Sequence, residues 1–409
     1  MERPSFEVAD VLRCHLDQYR LQRKVSAQQY RVAQAIIHCR TAALGGHVDA
    51  CSDCGHWAIS YNSCRNRHCP KCQWSAQQRW VRRRMEELLP VRYFHVVFTL
   101  PADLNALVAA NEAVLYSLLF RTAWATLHQL ARQARWLGAQ PGMVAVLHTW
   151  GQNLSLHPHL HCIVPGGGLA DDGATWVAAR DGFFLPVRVL SRLFRGKFLG
   201  HLRELHRQGC LQFHGQAEPL EDPLKFRQLT AALYQTEWVV YAKRPFGGPQ
   251  QVINYLGRYT HRIAISNRRI LAVEDDKVTF AYKDYRQNGA KKVMTLHATE
   301  FIRRFLQHCL PPGFQKIRYY GILATRNKKT KLALLQQNLH YCPPSPEPAA
   351  ETAHEKICPA CGKPAMRHIG IIPAKHLCHR NPADLRLPQL RAPPTGGAQH
   401  LVQTLAPAL

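Results

Sequence analysis

The sequence predicts an α+β fold, an antiparallel sheet covered by helices on one side and preceded by a small cysteine-rich module. Three observations carry that prediction. Residues His157–Val164 alternate in character, with His157, His159 and His161 on one face of an extended chain and Leu160, Cys162 and Val164 on the other. Strand and helix patterns follow one another as strand, long helix, strand, strand, the layout of a small sheet with helices packed on it. Two tight Cys-x2-Cys pairs, Cys51/Cys54 and Cys69/Cys72, stand 14 residues apart.

A chain of 409 residues is long enough to bury a sizeable core and to hold more than one domain. Its formal charge of +26 and isoelectric point near 9.9 attract polyanions, nucleic acid first among them. No apolar run is long enough to span a bilayer and the first residues do not read as a signal peptide, so no membrane association and a cytoplasmic location are expected. In that compartment the 14 cysteines are reduced thiols, and clustered ones are metal ligands before they are disulfides.

Taken in order, residues 1–46 read as a helical arm, with Val11, Leu12, Leu16, Tyr19 and then Tyr30, Val32, Ile36 and Ile37 at helical intervals. Residues 47–89 follow as a metal ribbon with a basic linker helix. Each cysteine pair can grip one side of a tetrahedral zinc, so Cys51, Cys54, Cys69 and Cys72 are expected to hold one structural Zn²⁺. Cys64, His56 and His68 are spare ligands. Arg65, Arg67 and Lys71 surround the module and are expected to touch DNA phosphates, although such ribbons also serve only as folding staples. The run Arg82-Arg83-Arg84 is either a solvated face or a phosphate contact.

Residues 90–335 carry the sheet. Tyr93–Leu100 reads as a buried strand, residues 103–137 as a long helix, and Gly142–Gln152 as the strand before the histidines. Later come a hairpin in Ala174–Leu185, helices over Val187–Gln208 and Phe226–Tyr234, and a strand over Glu237–Ala242. A second hairpin turns at Asn288-Gly289, and Thr299–Leu310 reads as a helix. Lys and Arg are dense from Lys243 to Lys331, interleaved with Tyr282, Tyr285, Tyr319 and Tyr320. Such a mixture suits a single-strand binding groove. The tail, 336–409, is rich in Pro, Ala and Gly and is expected to lack fixed structure in part. Its Cys358-x2-Cys361 is half a zinc site, with Cys378, His376, His379 or Cys342 as completing ligands.

Two patterns carry chemistry. Imidazoles two residues apart on one strand face can hold a cation between them, and His157, His159 and His161 share such a face. Over Pro249–Ile265 the apolar spacing suggests a helix with Tyr255 and Tyr259 on one face, two phenols placed to act as nucleophiles. No phosphate-loop pattern is present, so any helicase would come from the host.

His159-Leu160-His161 resembles the HUH motif, in which a bulky apolar residue separates two histidines, and Tyr255-x3-Tyr259 resembles a twin-tyrosine motif. With the segment YNSCRNRHCPKCQ these resemble the two-tyrosine HUH transposases of the insertion-sequence-ninety-one family, from about residue 10 to residue 335. The resemblance implies a ferredoxin-like HUH nuclease sheet and rolling-circle-like transposition through single-stranded DNA at element ends and target. It implies Mg²⁺ or Mn²⁺ at His159 and His161, although imidazole also accepts zinc. Gln152 is the expected third ligand, with His157 and His148 as rivals. Tyr255 or Tyr259 would form the 5′-phosphotyrosine, with Arg258 and Arg262 at the DNA. A plasmid replication initiator or relaxase would use the same residues; a non-catalytic zinc DNA-binding regulator would leave the histidines and tyrosines idle.

Overall fold

The computed structural model describes residues 4–180, 184–243, 251, 257, 264–284, 287–341 and 356–374. In chain order its elements begin with α1 (Val8–Gln22), α2 (Ala27–Ile37), β1 (Gly46–Cys51), β2 (Trp57–Tyr61), α3 (Gln73–Met85) and β3 (Tyr93–Thr99). Next are α4 (Asn105–Ala110), α5 (Glu112–Ala131), β4 (Gly142–Trp150), β5 (Leu156–Pro165), β6 (Gly167–Leu169) and β7 (Trp176–Ala178). Then follow α6 (Val187–Arg207), α7 (Pro223–Gln235), β8 (Val240–Lys243), β9 (Ile270–Glu274), β10 (Lys277–Asp284) and β11 (Ala290–His297). The last are α8 (Ala298–Leu306), β12 (Ile317–Gly321), α9 (Ala333–Asn338) and β13 (Met366–Ile372).

The chain divides into two units, residues 1–37 with 66–346 and residues 38–65 with 347–409. The larger unit is built on a five-stranded sheet in the order β12-β4-β5-β3-β8, every neighbouring pair antiparallel. The histidine strand β5 is its centre, as the alternation predicts. Leu160, Cys162 and Val164 lie in register with Phe98, Val96 and Phe94 of β3. With Leu147 and Ala145 of β4 they make one apolar face, buried in a single core with α5 and α6. In α6 the contact stripe is Leu190, Phe194, Phe198 and Leu202, one residue per turn.

The opposite face carries Val144, Ile163 and Tyr93 at one end, packed with Leu88, Leu89, Ile322 and Leu335. Its other end carries the imidazoles. Two strands that sequence pattern did not reveal, β9 and β12, complete a β11-β10-β9 sheet and the edge of the central one. The β10–β11 turn is the expected one, with Asn288 and Gly289 both at positive φ (51° and 78°).

The expected long helix over 103–137 is interrupted at Asn111, whose φ of −135° ends α4. Its side-chain amide donates to the carbonyls of Leu107 (3.0 Å) and Gln212 (2.8 Å) and its Oδ1 accepts from the Gln212 amide. A residue that bonds the backbone in this way competes with helix continuation.

In the smaller unit β13, β1 and β2 form an antiparallel sheet with β1 central. Among the described residues no helix is long and apolar enough to cross a membrane.

Phe98, fully buried, stacks at an angle on Phe194 with ring centres 5.0 Å apart, joining the sheet to α6. Phe98→Ala is expected to destabilise the larger unit by about 3–5 kcal/mol, read as a lowered urea midpoint of its unfolding transition.

Candidate active site

The register of β4 against β5 sets His148 beside His159, and the pleat places His161 two residues further along the same face. The ring nitrogens of His148, His159 and His161 all lie within 4.8 Å of one another. His159 Nε2 and His161 Nε2 are 3.1 Å apart. Two nitrogens each about 2.1 Å from one ion stand about 3.0–3.4 Å apart, so this donor set fits a divalent cation.

Each ring is oriented from behind. His159 Nδ1 donates to the His157 carbonyl at 2.6 Å, and His161 Nδ1 is 2.8 Å from His95 Nε2 on β3. With His161 donating there, both Nε2 lone pairs point into one space, the arrangement two imidazoles take around a cation. His148 stacks on Trp150, ring centres 4.5 Å apart, and Lys316 Nζ lies 5.0 Å from the Trp150 ring centre.

Burial, then the neighbouring His157, holds His159 at about 3. Burial, then His159 and His95, holds His161 well below its ordinary range. His95 is lowered to about 4 by burial and by Lys243, and Lys316 to about 7 by burial and by Arg67. His159, His161 and His95 are therefore neutral at physiological pH, the form that ligates a metal. His161 and His148 are buried and His159 is half-buried.

The third nitrogen brought to the pair is that of His148. Gln152 sits beyond the end of β4, where its carbonyl accepts from Arg269. His157, the other rival, is exposed at the start of β5 and contributes its carbonyl to His159. His95 and Lys316 escaped the sequence reading. The alternation of Tyr93, His95 and Val97 in a buried strand was the available signal for His95. Tyr255, Tyr259, Arg258 and Arg262 lie outside the described residues.

The cysteines correct the expected ribbon. Cys51 and Cys54 meet Cys358 and Cys361 of the tail, not Cys69 and Cys72, which belong to the larger unit. Two cations expected at DNA are engaged within the fold. Arg67 donates to the carbonyls of Phe314 and Pro311, and Lys71 pairs with Glu7 at 2.5 Å. Arg65 is exposed. His68, a spare ligand by sequence, accepts from the Leu310 amide at 3.1 Å. Two tyrosines expected to stack on bases are half-buried and have partners within the fold: Tyr319 accepts from Trp80 Nε1 at 3.1 Å, and Tyr320 stacks on Trp124.

A family model described as "Transposase zinc-binding domain" matches residues 11–100, and one described as "Putative transposase" matches residues 142–331, the span that holds the three histidines. Fold, site and matches define a DNA-acting transposase with a zinc-binding domain. The chain is 50% identical over 384 residues to "Putative transposase y4qJ" of Sinorhizobium fredii, covering 91% of this chain and 96% of that one. It is 28% identical over 319 residues to the transposase for insertion sequence element IS801 of Pseudomonas savastanoi pv. phaseolicola, covering 76% and 74%. The chain belongs to this family, the transposases of the insertion-sequence-ninety-one type. No solved structure matches it.

Behind the site His308 accepts from Thr149 Oγ1 at 3.1 Å and donates to the Leu154 carbonyl at 3.2 Å, and burial holds it at about 3. His68 is held at about 3 by burial, then by Arg67. An unfolded histidine titrates near 6.5, so as pH falls from about 6.5 towards 3 the unfolded chain binds protons that the folded one refuses. Stability is expected to fall over that window and to be flat for these groups above it. His308→Gln removes one such group and should flatten the slope of unfolding free energy against pH by up to about 1.4 kcal/mol per unit. Urea titrations across the window measure it.

Proposed function

We propose that the chain nicks and rejoins single-stranded DNA at the ends of an insertion element through a 5′-phosphotyrosine formed by Tyr255 or Tyr259. The observation that carries this reading is the convergence of His148, His159 and His161 on one sheet face, within a family of transposases. These three imidazoles would hold Mg²⁺ or Mn²⁺. Such a cation, when bound, withdraws charge from a phosphate oxygen and so stabilises the charge that develops during displacement at phosphorus.

The chain's own residues supply the geometry. β5, paired on both sides, fixes the two principal rings; His95 orients His161 and the His157 carbonyl orients His159. The tyrosine Oη gives up its proton and bonds to phosphorus as the bond from phosphorus to the 3′-oxygen breaks. The electron pair leaves on that oxygen, which takes up a proton and becomes a free 3′-OH. A phosphotyrosine keeps the phosphodiester energy that hydrolysis would lose, so a 3′-OH rejoins by the reverse displacement. Two phenols four residues apart in sequence would let two strands be held in one cycle. Arg65, Arg258 and Arg262 are proposed to contact phosphates, with binding that weakens steeply as salt rises.

Full-length protein and oligonucleotides from element ends test the reading. Wild type is expected to give a covalent protein–DNA band that chelator abolishes and added Mn²⁺ or Mg²⁺ restores. His159→Ala or His161→Ala should lower nicking by about 100-fold or more while single-strand affinity is kept. Tyr255→Phe with Tyr259→Phe should give no adduct. If that double variant still cuts and leaves no protein attached, water is the nucleophile and the reading fails.

A further inference from the structure

We infer that Cys51, Cys54, Cys358 and Cys361 form one structural zinc site, a ribbon assembled from two segments some 310 residues apart. Its second half lies outside both matched spans, 11–100 and 142–331.

The two cysteine pairs are built alike. Each is a Cys-x2-Cys-Gly knuckle, and Gly55 and Gly362 share a φ of +72°, where a side chain would be strained. In the first, the Gly55 amide donates to the Cys51 carbonyl at 3.0 Å and the Cys51 amide to the His56 carbonyl at 2.8 Å. In the second, the Gly362 amide donates to the Cys358 carbonyl at 2.9 Å and the Cys358 amide to the Lys363 carbonyl at 2.8 Å. Two matching turns present their sulfurs to each other across the pairing of β1 with β13, which ends at Cys51 opposite Met366.

The sulfur spacing selects the occupant. Cys51 Sγ is 3.7 Å from Cys361 Sγ, and Cys54 Sγ is 3.6 Å from Cys358 Sγ. A disulfide needs about 2.05 Å. Four sulfurs about 2.3 Å from one tetrahedral zinc stand about 3.8 Å apart. Four thiolates leave no open position, so the ion holds structure and activates nothing. Around it the tail is also fastened by charge: Lys356 pairs with buried Asp49 at 2.5 Å and Lys363 with Asp53 at 2.6 Å. Among the described residues the buried cluster at the site is small, Cys51, Cys358 and Met366 with Ala58, Cys361 and Ala365 against them, so little apolar burial would hold the two segments together without the ion.

Zinc content and thiol reactivity of the full-length protein test this, whether or not the tyrosine chemistry stands. Cys51→Ser with Cys54→Ser, Cys358→Ser with Cys361→Ser, and the fourfold variant should each hold about one zinc fewer per chain than wild type. Should the tail variant keep the wild-type zinc content, or the fourfold variant lose twice as much as either pair, the site is refuted. Wild type supplies a second measurement that needs no variant to fold. Under iodoacetamide, Cys14 and Cys210 should react at once, while Cys54, although exposed, should be protected together with Cys51, Cys358 and Cys361 until chelator strips the ion. Alkylation of Cys54 and Cys361 at the rate of Cys14 with zinc retained would equally overturn it.

Discussion

Neutral imidazoles on the central strand of a sheet are the constraint on which the larger unit depends. β5 is paired on both sides, so its register is fixed, and a slip of one residue would exchange Leu160 and Cys162 for His159 and His161 in the helix-facing core. The apolar face under α5 and α6 therefore does more than stabilise the sheet: it determines which way the imidazoles point. The surrounding cations act in the same sense. Burial is the main reason that His161 and His95 stay unprotonated, and Lys316 beside His161 and Lys243 beside His95 lower them further.

Much of this was legible from short-range pattern. His159 and His161 follow from alternation within a single strand, and the Asn288-Gly289 turn follows from two residues whose backbone suits it. His148 needs one more step, the pairing of β4 with β5 across a short turn, and by sequence it is, with His157, a rival to the expected Gln152. The strand pattern marks His95 as a polar residue in a buried strand, but its hydrogen bond to His161 follows only from the pairing of β3 with β5.

Composition does not reveal which partners a side chain has within the fold. Arg67 and Lys71 look like DNA contacts among basic neighbours, yet two carbonyls and Glu7 take them. Tyr319 and Tyr320, adjacent on β12, point to opposite faces of the sheet, and each face has packing that takes its ring. The cysteines show the same lesson at longer range: 14 residues of separation made Cys69 and Cys72 the natural partners of Cys51 and Cys54, whereas β13 brings a closer pair from the tail.

That strand arrangement has a consequence for the order of events on the ribosome. β12, the last strand of the five-stranded sheet, ends at Gly321, whereas β13 begins only at Met366. The five-stranded sheet is thus fully translated before the sequence that pairs with β1 has emerged. Throughout that interval β1 is without one of its two neighbours. Cys51 and Cys54 ride on the nascent chain as open thiols, exposed to oxidation or to a wrong cysteine partner until translation passes Cys361.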